Sequence, residues 1–338
     1  MTIKNIAENL GISCSTVSRC LNNDPKVSEK TRQRVIAEAQ RIGFVFNVNA
    51  RSLITRKTQR IGLVYSNCFN SKDFRWFFNE IQTYATLEIE KHNYDYLIQP
   101  NNNYMGLSNI GRMVSGKMVD GLAIFSRDIS EVDVRLLQEQ KIPHVYVYYP
   151  PVESVFEGNF FYSSNKTGGY LATKYLIEQG HRRILTIRSN DPVQKMYEMR
   201  TQGYILAMSE AGLEPHVLEL PMGFDTCKDG VRENLDYMAE NFTAVFCQQS
   251  NPALSLIQEM EKRGIRVPDD ISVIGYDDID LIRYMEIPLD VVLDSKSTVI
   301  SSAIDSLVAQ IEDTEDTASR RYEPTLLHRG SVKPHSGD

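Results

Sequence analysis

The chain has 338 residues, 42% of them hydrophobic and 24% charged, with a net charge of −7. That length exceeds one ordinary compact core, so two or three domains are expected. No apolar run approaches the ~20 residues that span a bilayer. The polar start, Met1-Thr2-Ile3-Lys4-Asn5-Ile6-Ala7-Glu8, is unlike a signal peptide, so a cytoplasmic, nucleoid-associated protein with no membrane partner is expected.

Five scattered cysteines (Cys14, Cys20, Cys68, Cys227, Cys247) form no Cys-x-x-Cys pair, and the six histidines lack ligand spacing. These patterns argue for reduced thiols and against a disulfide frame or a metal site, and no cofactor is expected. Charge is unevenly placed. Residues 1–60 hold 11 Lys+Arg against 4 Asp+Glu, a balance of +7; the other 278 residues hold 26 against 40, a balance of −14. A basic head on an acidic body points the head at a polyanion.

Ile3, Ile6, Ala7 and Leu10 recur at helical spacing behind Thr2 as N-cap, and Gly11 ends that helix. Ser13 caps a second helix, in which Val17, Cys20 and Leu21 face inward. A third begins after Ser28 and carries Val35, Ile36, Ala39 and Ile42 inward. Two short helices joined by a Gly turn, with a third closing a small core, make a helix-turn-helix. The outward face of the second helix offers Ser15, Thr16, Ser18 and Arg19, groups suited to bases and phosphates of a major groove. Cys14, beside them, is either a space-filling neighbour or a base contact.

From Ile61 onward, strand runs alternate with helical stretches. The runs are 61–65, 96–98, 122–125, 145–147, 184–187, 244–247 and 271–274, each apolar enough for burial on both faces. That pattern predicts parallel sheets covered on both sides, and at this length two lobes with a cleft between them. Ligands bind at the carboxyl ends of parallel strands. Asp277 follows the strand through Ile274 and Arg200 lies on the helix after the strand through Ile187. A carboxylate and a guanidinium facing one cavity can hold hydroxyls by charge-assisted hydrogen bonds; the alternative is a structural ion pair. Trp76, the only tryptophan, either stacks on a ligand ring or packs its own helix. Phe69, Ser126 and Tyr148 also follow first-lobe strands. The segment Gly111–Lys117 imitates a phosphate loop, but Met118 stands where Ser or Thr would hold magnesium and no strand precedes it, so it reads as a helix end. The polar tail 331–338 is expected to be disordered.

The string Thr2-Ile3-Lys4-Asn5-Ile6-Ala7, Gly11-Ile12-Ser13, Thr16-Val17-Ser18-Arg19, Leu21-Asn22-Asn23, Val27-Ser28, Thr31-Arg32 resembles the N-terminal signature of the lactose/galactose repressor (LacI/GalR) family. Further matches run through Asn165-Lys166-Thr167-Gly168-Gly169-Tyr170, Arg200-x-x-Gly203-Tyr204 and Val267–Asp278. The resemblance implies an N-terminal all-α helix-turn-helix domain (1–46) and a hinge (47–59). An α/β type I periplasmic-binding-protein-like core of two parallel-sheet lobes (60–330) would follow. Lobe 1 would be about 60–160 and 291–330, and lobe 2 about 161–290. It implies DNA contacts from Thr2, Cys14, Ser15, Thr16, Ser18, Arg19, Asn22, Ser28 and Thr31. A hinge helix with Asn47, Ala50 and a minor-groove wedge Leu53 would add more. It implies effector contacts from Arg200, Asp277 and the aromatic Phe224. Gln249 stands in a segment where the family usually has Ala-Asn-Asp. The protein implied is a homodimeric repressor on double-stranded operator DNA, released by a small sugar. The alternatives are a regulator needing a corepressor, purine-like or a partner protein, and a solute-binding receptor. Nothing in the sequence assembles a catalytic constellation.

Overall fold

The computed structural model describes residues 2–21, 24, 26–44, 57–70, 75–149, 159–191, 195–284, 286–314 and 319–336, without the side chains of Cys68, Asn70, Arg75 and Phe224. The chain divides into two compact units, Met1–Thr58 and Gln59–Asp338.

The first unit holds α1 (Ile3–Leu10), α2 (Cys14–Leu21) and α3 (Glu29–Arg41). Each start is fixed by a short polar side chain. The Thr2 amide and hydroxyl both reach Asn5 Oδ1 at 2.9 Å. Ser13 Oγ accepts from the Thr16 amide at 3.1 Å, and Ser28 Oγ from Thr31 at 3.3 Å. Such caps satisfy amides that the first turn leaves unpaired. Gly11 closes α1 with a left-handed φ of 63°, which glycine adopts without a steric penalty. Ile6, Ala7, Val17, Cys20, Val35 and Ala39 form the buried centre. Ile36, expected inward, is only half-buried. Burial raises the Cys20 thiol above its ordinary pKa, so this cysteine is a core residue.

The second unit begins with β1 (Arg60–Tyr65), α4 (Arg75–Lys91), β2 (Asp95–Pro100) and a small hairpin, β3 (Asn103–Tyr104) and β4 (Leu107–Ser108). Next come α5 (Asn109–Ser115), β5 (Gly121–Phe125), α6 (Glu131–Glu139), β6 (His144–Val147) and β7 (Asn159–Ser163). The second half runs α7 (Asn165–Glu178), β8 (Ile184–Ser189), α8 (Lys195–Glu210), β9 (His216–Leu220), α9 (Phe224–Asn241) and β10 (Ala244–Cys247). It closes with α10 (Ser250–Lys262), β11 (Ser272–Tyr276), α11 (Asp280–Arg283), β12 (Asp290–Leu293), α12 (Lys296–Ile311), β13 (Arg320–Tyr322) and β14 (Thr325–Leu327). Two six-stranded sheets result, in the orders β13-β7-β6-β5-β1-β2 and β14-β12-β11-β10-β8-β9. All neighbours are parallel except β12 and β14. Apolar clusters cover both faces of each sheet, as the continuous apolar strands require.

The lobe boundaries differ from the expectation. β7 still belongs to the first sheet and β12 to the second, so the first two crossings fall at Ser164 and after Leu293. A third crossing, between Tyr322 and Thr325, returns the chain to the second lobe. The tail is not the disordered segment its polarity suggested. Ser331 and Val332 are buried. The Ser331 hydroxyl donates to the Val273 carbonyl at 2.6 Å, and the His335 amide donates to Gln179 O at 2.7 Å. The pull comes from Asp290, whose Oδ1 accepts from the amides of Arg329, Gly330 and Ser331. A buried carboxylate must find such donors.

Candidate functional site

In the first unit, Cys14, Ser15 and Arg19 are exposed on α2, with Thr16 and Ser18 half-buried beside them. Ser13 Oγ lies 2.7 Å from Ser15 Oγ and 2.8 Å from Thr16 Oγ1, which groups three hydroxyls at the start of this helix. The Arg19 side chain is 63% exposed and stands 3.9 Å from Asp24. Ser28 and Thr31 share a hydroxyl contact of 2.8 Å at the start of α3. The expected contacts at Asn22, Asn47, Ala50 and Leu53, and the hinge at 47–53, lie outside the described residues.

In the second unit, a cleft between the sheets is lined by Trp76, Phe77, Tyr148 and Tyr149 from the first lobe. Asn165, Met196, Tyr197, Arg200, Gln249, Ser250, Asn251, Asp277 and Ile279 line it from the second, and Asp294 sits at the crossing. With its open mouth included, the space between these residues is about 680 Å³. Across the opening, Arg127 Nη1 of the first lobe lies 3.3 Å from Asp191 Oδ2 of the second.

Arg200 reaches this cleft because two helices touch. A side-chain carbon added at Gly169 would lie 2.0 Å from Arg200 O, and one at Gly203 would lie 2.0 Å from Lys166 O. Only glycine allows α7 and α8 to cross this closely. The contact sets Arg200 Nε 2.8 Å from Asn165 Oδ1, lets its Nη1 donate to Gln248 O and lays the guanidinium 3.4 Å over the Tyr276 ring. Arg200 therefore bonds Asn165 and Gln248, and the structural ion pair with Asp277 does not form. Burial opposes its charge, but Tyr276 and Asp277 prevail and hold its pKa above the ordinary value.

Asp277 follows β11 in a left-handed conformation, φ 71°. Ser250 Oγ donates to the Tyr276 and Asp277 carbonyls at 2.8 Å, and the Asp277 amide donates to Val292 O at 3.0 Å. Tyr148 is held likewise, with φ 66° and its amide on Phe161 O at 2.9 Å. Positive φ is costly for a tyrosine, and such strain collects where a side chain must be aimed. Tyr197 donates to Gln249 Oε1 at 2.6 Å, so that amide still has its N–H groups to offer. Lys296 Nζ lies 2.7 Å from Glu80 and 3.9 Å from Asp277. Burial opposes its charge, yet Asp277 and Glu80 raise its pKa.

The cleft thus gathers Arg200, Asp277, Gln249, Trp76 and Tyr148. It does not gather Phe69 or Ser126. Phe69 stacks on Tyr65 at 5.5 Å, and Ser126 is buried against Ser66 and the Asp128 amide. Both follow lobe-1 strands, but the chain turns them into the core. Phe224 opens α9, and its side chain lies outside the described residues. Asp294, Tyr197, Phe77 and Asn165 had not been expected at the cleft. Asp294 follows a strand too short to be read as one, and Tyr197 could have been found one helical turn before Arg200.

Glu88, His92 and Asp305 come within 4.8 Å of one another across α4 and α12. Each is already engaged: His92 with Asp305 at 2.7 Å, and Glu88 with Lys91 at 2.8 Å and Ser301 at 2.7 Å. No described helix is long and apolar enough to cross a membrane.

The family model of bacterial regulatory proteins, lacI family, matches residues 2–47, and that of a periplasmic binding protein-like domain matches 173–332. The chain is 31% identical over 338 residues to the HTH-type transcriptional repressor PurR of Vibrio campbellii, covering 98% of both. It is 32% identical over 339 residues to PurR of Vibrio atlanticus, again covering 98% of both. Among solved structures it is similar to the transcriptional regulator CelR–cellobiose complex, at TM-score 0.69 and 26% identity, over 98% of this chain and 99% of that one. The Lac repressor bound to ONPG shares the fold, at TM-score 0.79 and 19% identity over 98% and 99%. The chain belongs to the lacI family of bacterial regulatory proteins, and it is a DNA-binding transcriptional repressor and not an enzyme.

Proposed function

We propose that this repressor holds operator DNA as a homodimer and is switched by a small molecule bound between its lobes through Arg200 and Asp277. The observation that carries the reading is the cleft itself, where a guanidinium, a carboxylate, an amide and aromatic rings converge. Each head would read one half-site with Thr2, Cys14, Ser15, Thr16, Ser18, Arg19, Asn22, Ser28 and Thr31. A hinge over 47–53, with Asn47, Ala50 and Leu53, would hold the minor groove between half-sites. An effector shifts this equilibrium only by binding the two lobe arrangements unequally.

A sugar-like polyol suits the charged donors and acceptors, and the similar CelR structure is a complex with cellobiose. The PurR relatives support the other reading, a corepressor such as a purine. The sign separates them: an inducer weakens operator binding and a corepressor strengthens it.

Trp76 is the only tryptophan in the chain, so titrating sugars and nucleobases should change its fluorescence when the cleft fills. Asp277→Asn keeps a side chain that tolerates left-handed backbone but removes the charge. We expect it to bind operator normally in a gel-shift assay and to lose response to the effector by at least about tenfold. Unchanged response would remove the cleft from the mechanism. Deleting residues 1–58 should leave a folded core that binds effector and ignores DNA. In the full chain, operator affinity should fall steeply between low and moderate salt, as phosphate contacts release counterions.

A further inference from the structure

The cleft holds one more negative charge than its cations neutralise. Asp294 lies at the crossing from β12 to α12 and is 7% exposed; Asp277 is 6% exposed. Asp294 Oδ1, Asp277 Oδ1 and the Tyr148 hydroxyl are buried and accept or donate no hydrogen bond among the described residues. Facing Asp294 are Tyr276 of β11 and Asp277 at its end, Lys296 of α12, Arg200 of α8, Tyr148 after β6 and Ser163 of β7, while Glu80 of α4 stands against Lys296. Three carboxylates thus stand against two cations. The hydrogen bonds of both cations go elsewhere: Arg200 Nε to Asn165, its Nη1 to Gln248 O, and Lys296 Nζ to Glu80. An unpaired buried carboxylate must take up either a proton or a cation. Burial and then the charge of Asp277 outweigh Lys296 and Arg200 and push Asp294 up to about 7. The walls are Trp76, Phe77, Tyr148 and Tyr197, rings whose faces attract cations.

We propose that the cleft is built for a hydroxylated ligand carrying a protonated amine, held by Asp294 and Asp277. This rests on the effector reading of the cleft. The ammonium donates to Asp294 Oδ1 and Asp277 Oδ1, which accept no hydrogen bond among the described residues, and brings the buried charge to balance. Hydroxyls elsewhere on the ligand meet Arg200, Gln249 and Tyr148. A phosphate ester is excluded, because it would set more negative charge beside two carboxylates. A neutral polyol fits less well, since Asp294 must then keep its proton.

The test pairs amines with neutral counterparts on the full chain: glucosamine with glucose, and tris(hydroxymethyl)aminomethane with pentaerythritol. Glucose 6-phosphate and hypoxanthine complete the panel. Calorimetry and Trp76 fluorescence are read from pH 5.5 to 7.5. At least one amine should bind about tenfold tighter than its neutral partner, the scale of a charge-assisted hydrogen bond. Its affinity should rise with pH, and binding near pH 7 should release a proton, because the ammonium displaces the one on Asp294. Asp294→Asn should abolish the preference, the pH slope and the proton release.

A measurement without ligand checks the same group. The folded pKa of Asp294 is raised, so its contribution is intact below the unfolded carboxylate range and is lost as pH rises through about 7. Asp294→Asn should therefore raise the melting temperature at pH 8 relative to the native chain. Equal binding of neutral partners, a preference that survives in Asp294→Asn, or binding of hypoxanthine alone overturns the proposal and leaves the cleft as effector site. If no compound of the panel alters Trp76 fluorescence, the proposal falls; if Asp277→Asn also leaves the effector response intact, the cleft reading falls with it.

Discussion

Gly203→Ala is expected to destabilise the second unit by about 3 kcal/mol or more, at the upper end for overpacking. The added carbon would lie 2.0 Å from Lys166 O and 2.6 Å from the Tyr170 amide nitrogen. Both are backbone atoms of α7, so no side chain can rotate away. Relief requires α7 and α8 to separate, and that separation also moves Arg200 from Asn165 and Tyr276. The variant should therefore lose stability and effector affinity together. Gly212→Ala is the control. It has φ 67° but nothing within 4 Å, so only the left-handed penalty of about 1–2 kcal/mol applies. Urea unfolding of the chain lacking residues 1–58 measures both. A Gly203→Ala cost no larger than the control would show that the helix contact is not tight.

The second large effect is at Asp290. Its Oδ1 lies 2.5 Å from the Arg329 amide and 2.6 Å from the Gly330 amide, and Tyr175 reaches Oδ2 at 3.3 Å. Asp290→Ala takes the acceptor from these partly buried donors and from the buried Ser331 amide, at about 1–3 kcal/mol each. We expect a total loss near 4 kcal/mol and, by hydrogen exchange, loss of protection at Gly330 and Ser331. Protection that survives at those two amides would mean the tail is held by other contacts. Ending the chain at Leu327 should do more harm. It also removes Arg329, whose Nη1 and Nη2 grip Asp278 at 2.6 and 2.8 Å. Burial alone would raise Asp278, but Arg329 and Arg283 outweigh it and hold its pKa below the usual range. Without Arg329 that nearly buried carboxylate keeps only Arg283, at 3.2 Å.

The sequence by itself determined the DNA-reading head and the two-lobe plan. Its helices are short and locally capped, and α1 and α3 run into Gly11 and Gly43, so α1, α2 and α3 are set by neighbours within a few residues. Six of the seven apolar strand runs were legible because a strand buried on both faces needs unbroken hydrophobicity; the seventh, in β2, is a half-exposed edge strand whose apolar run showed all the same. β7, β9, β12, β13 and β14 were not. They are short edge or crossing strands, and their polar residues, such as Asp290 and Glu219, are satisfied only by partners far along the chain.

The cleft was legible in part. Arg200 and Asp277 stand near strand ends, a position that spacing reveals. Asp294 and Lys296 became cleft residues only through the crossing after β12, and Phe69 and Ser126 were drawn into the core by packing that no local pattern records. The glycines of α7 and α8 could be read as a motif, but their reason could not. It is a backbone contact between two helices, and such a contact exists only once both have been placed. Local chemistry thus settled which elements form, while long-range packing and the need to satisfy buried charge decided which side chains meet.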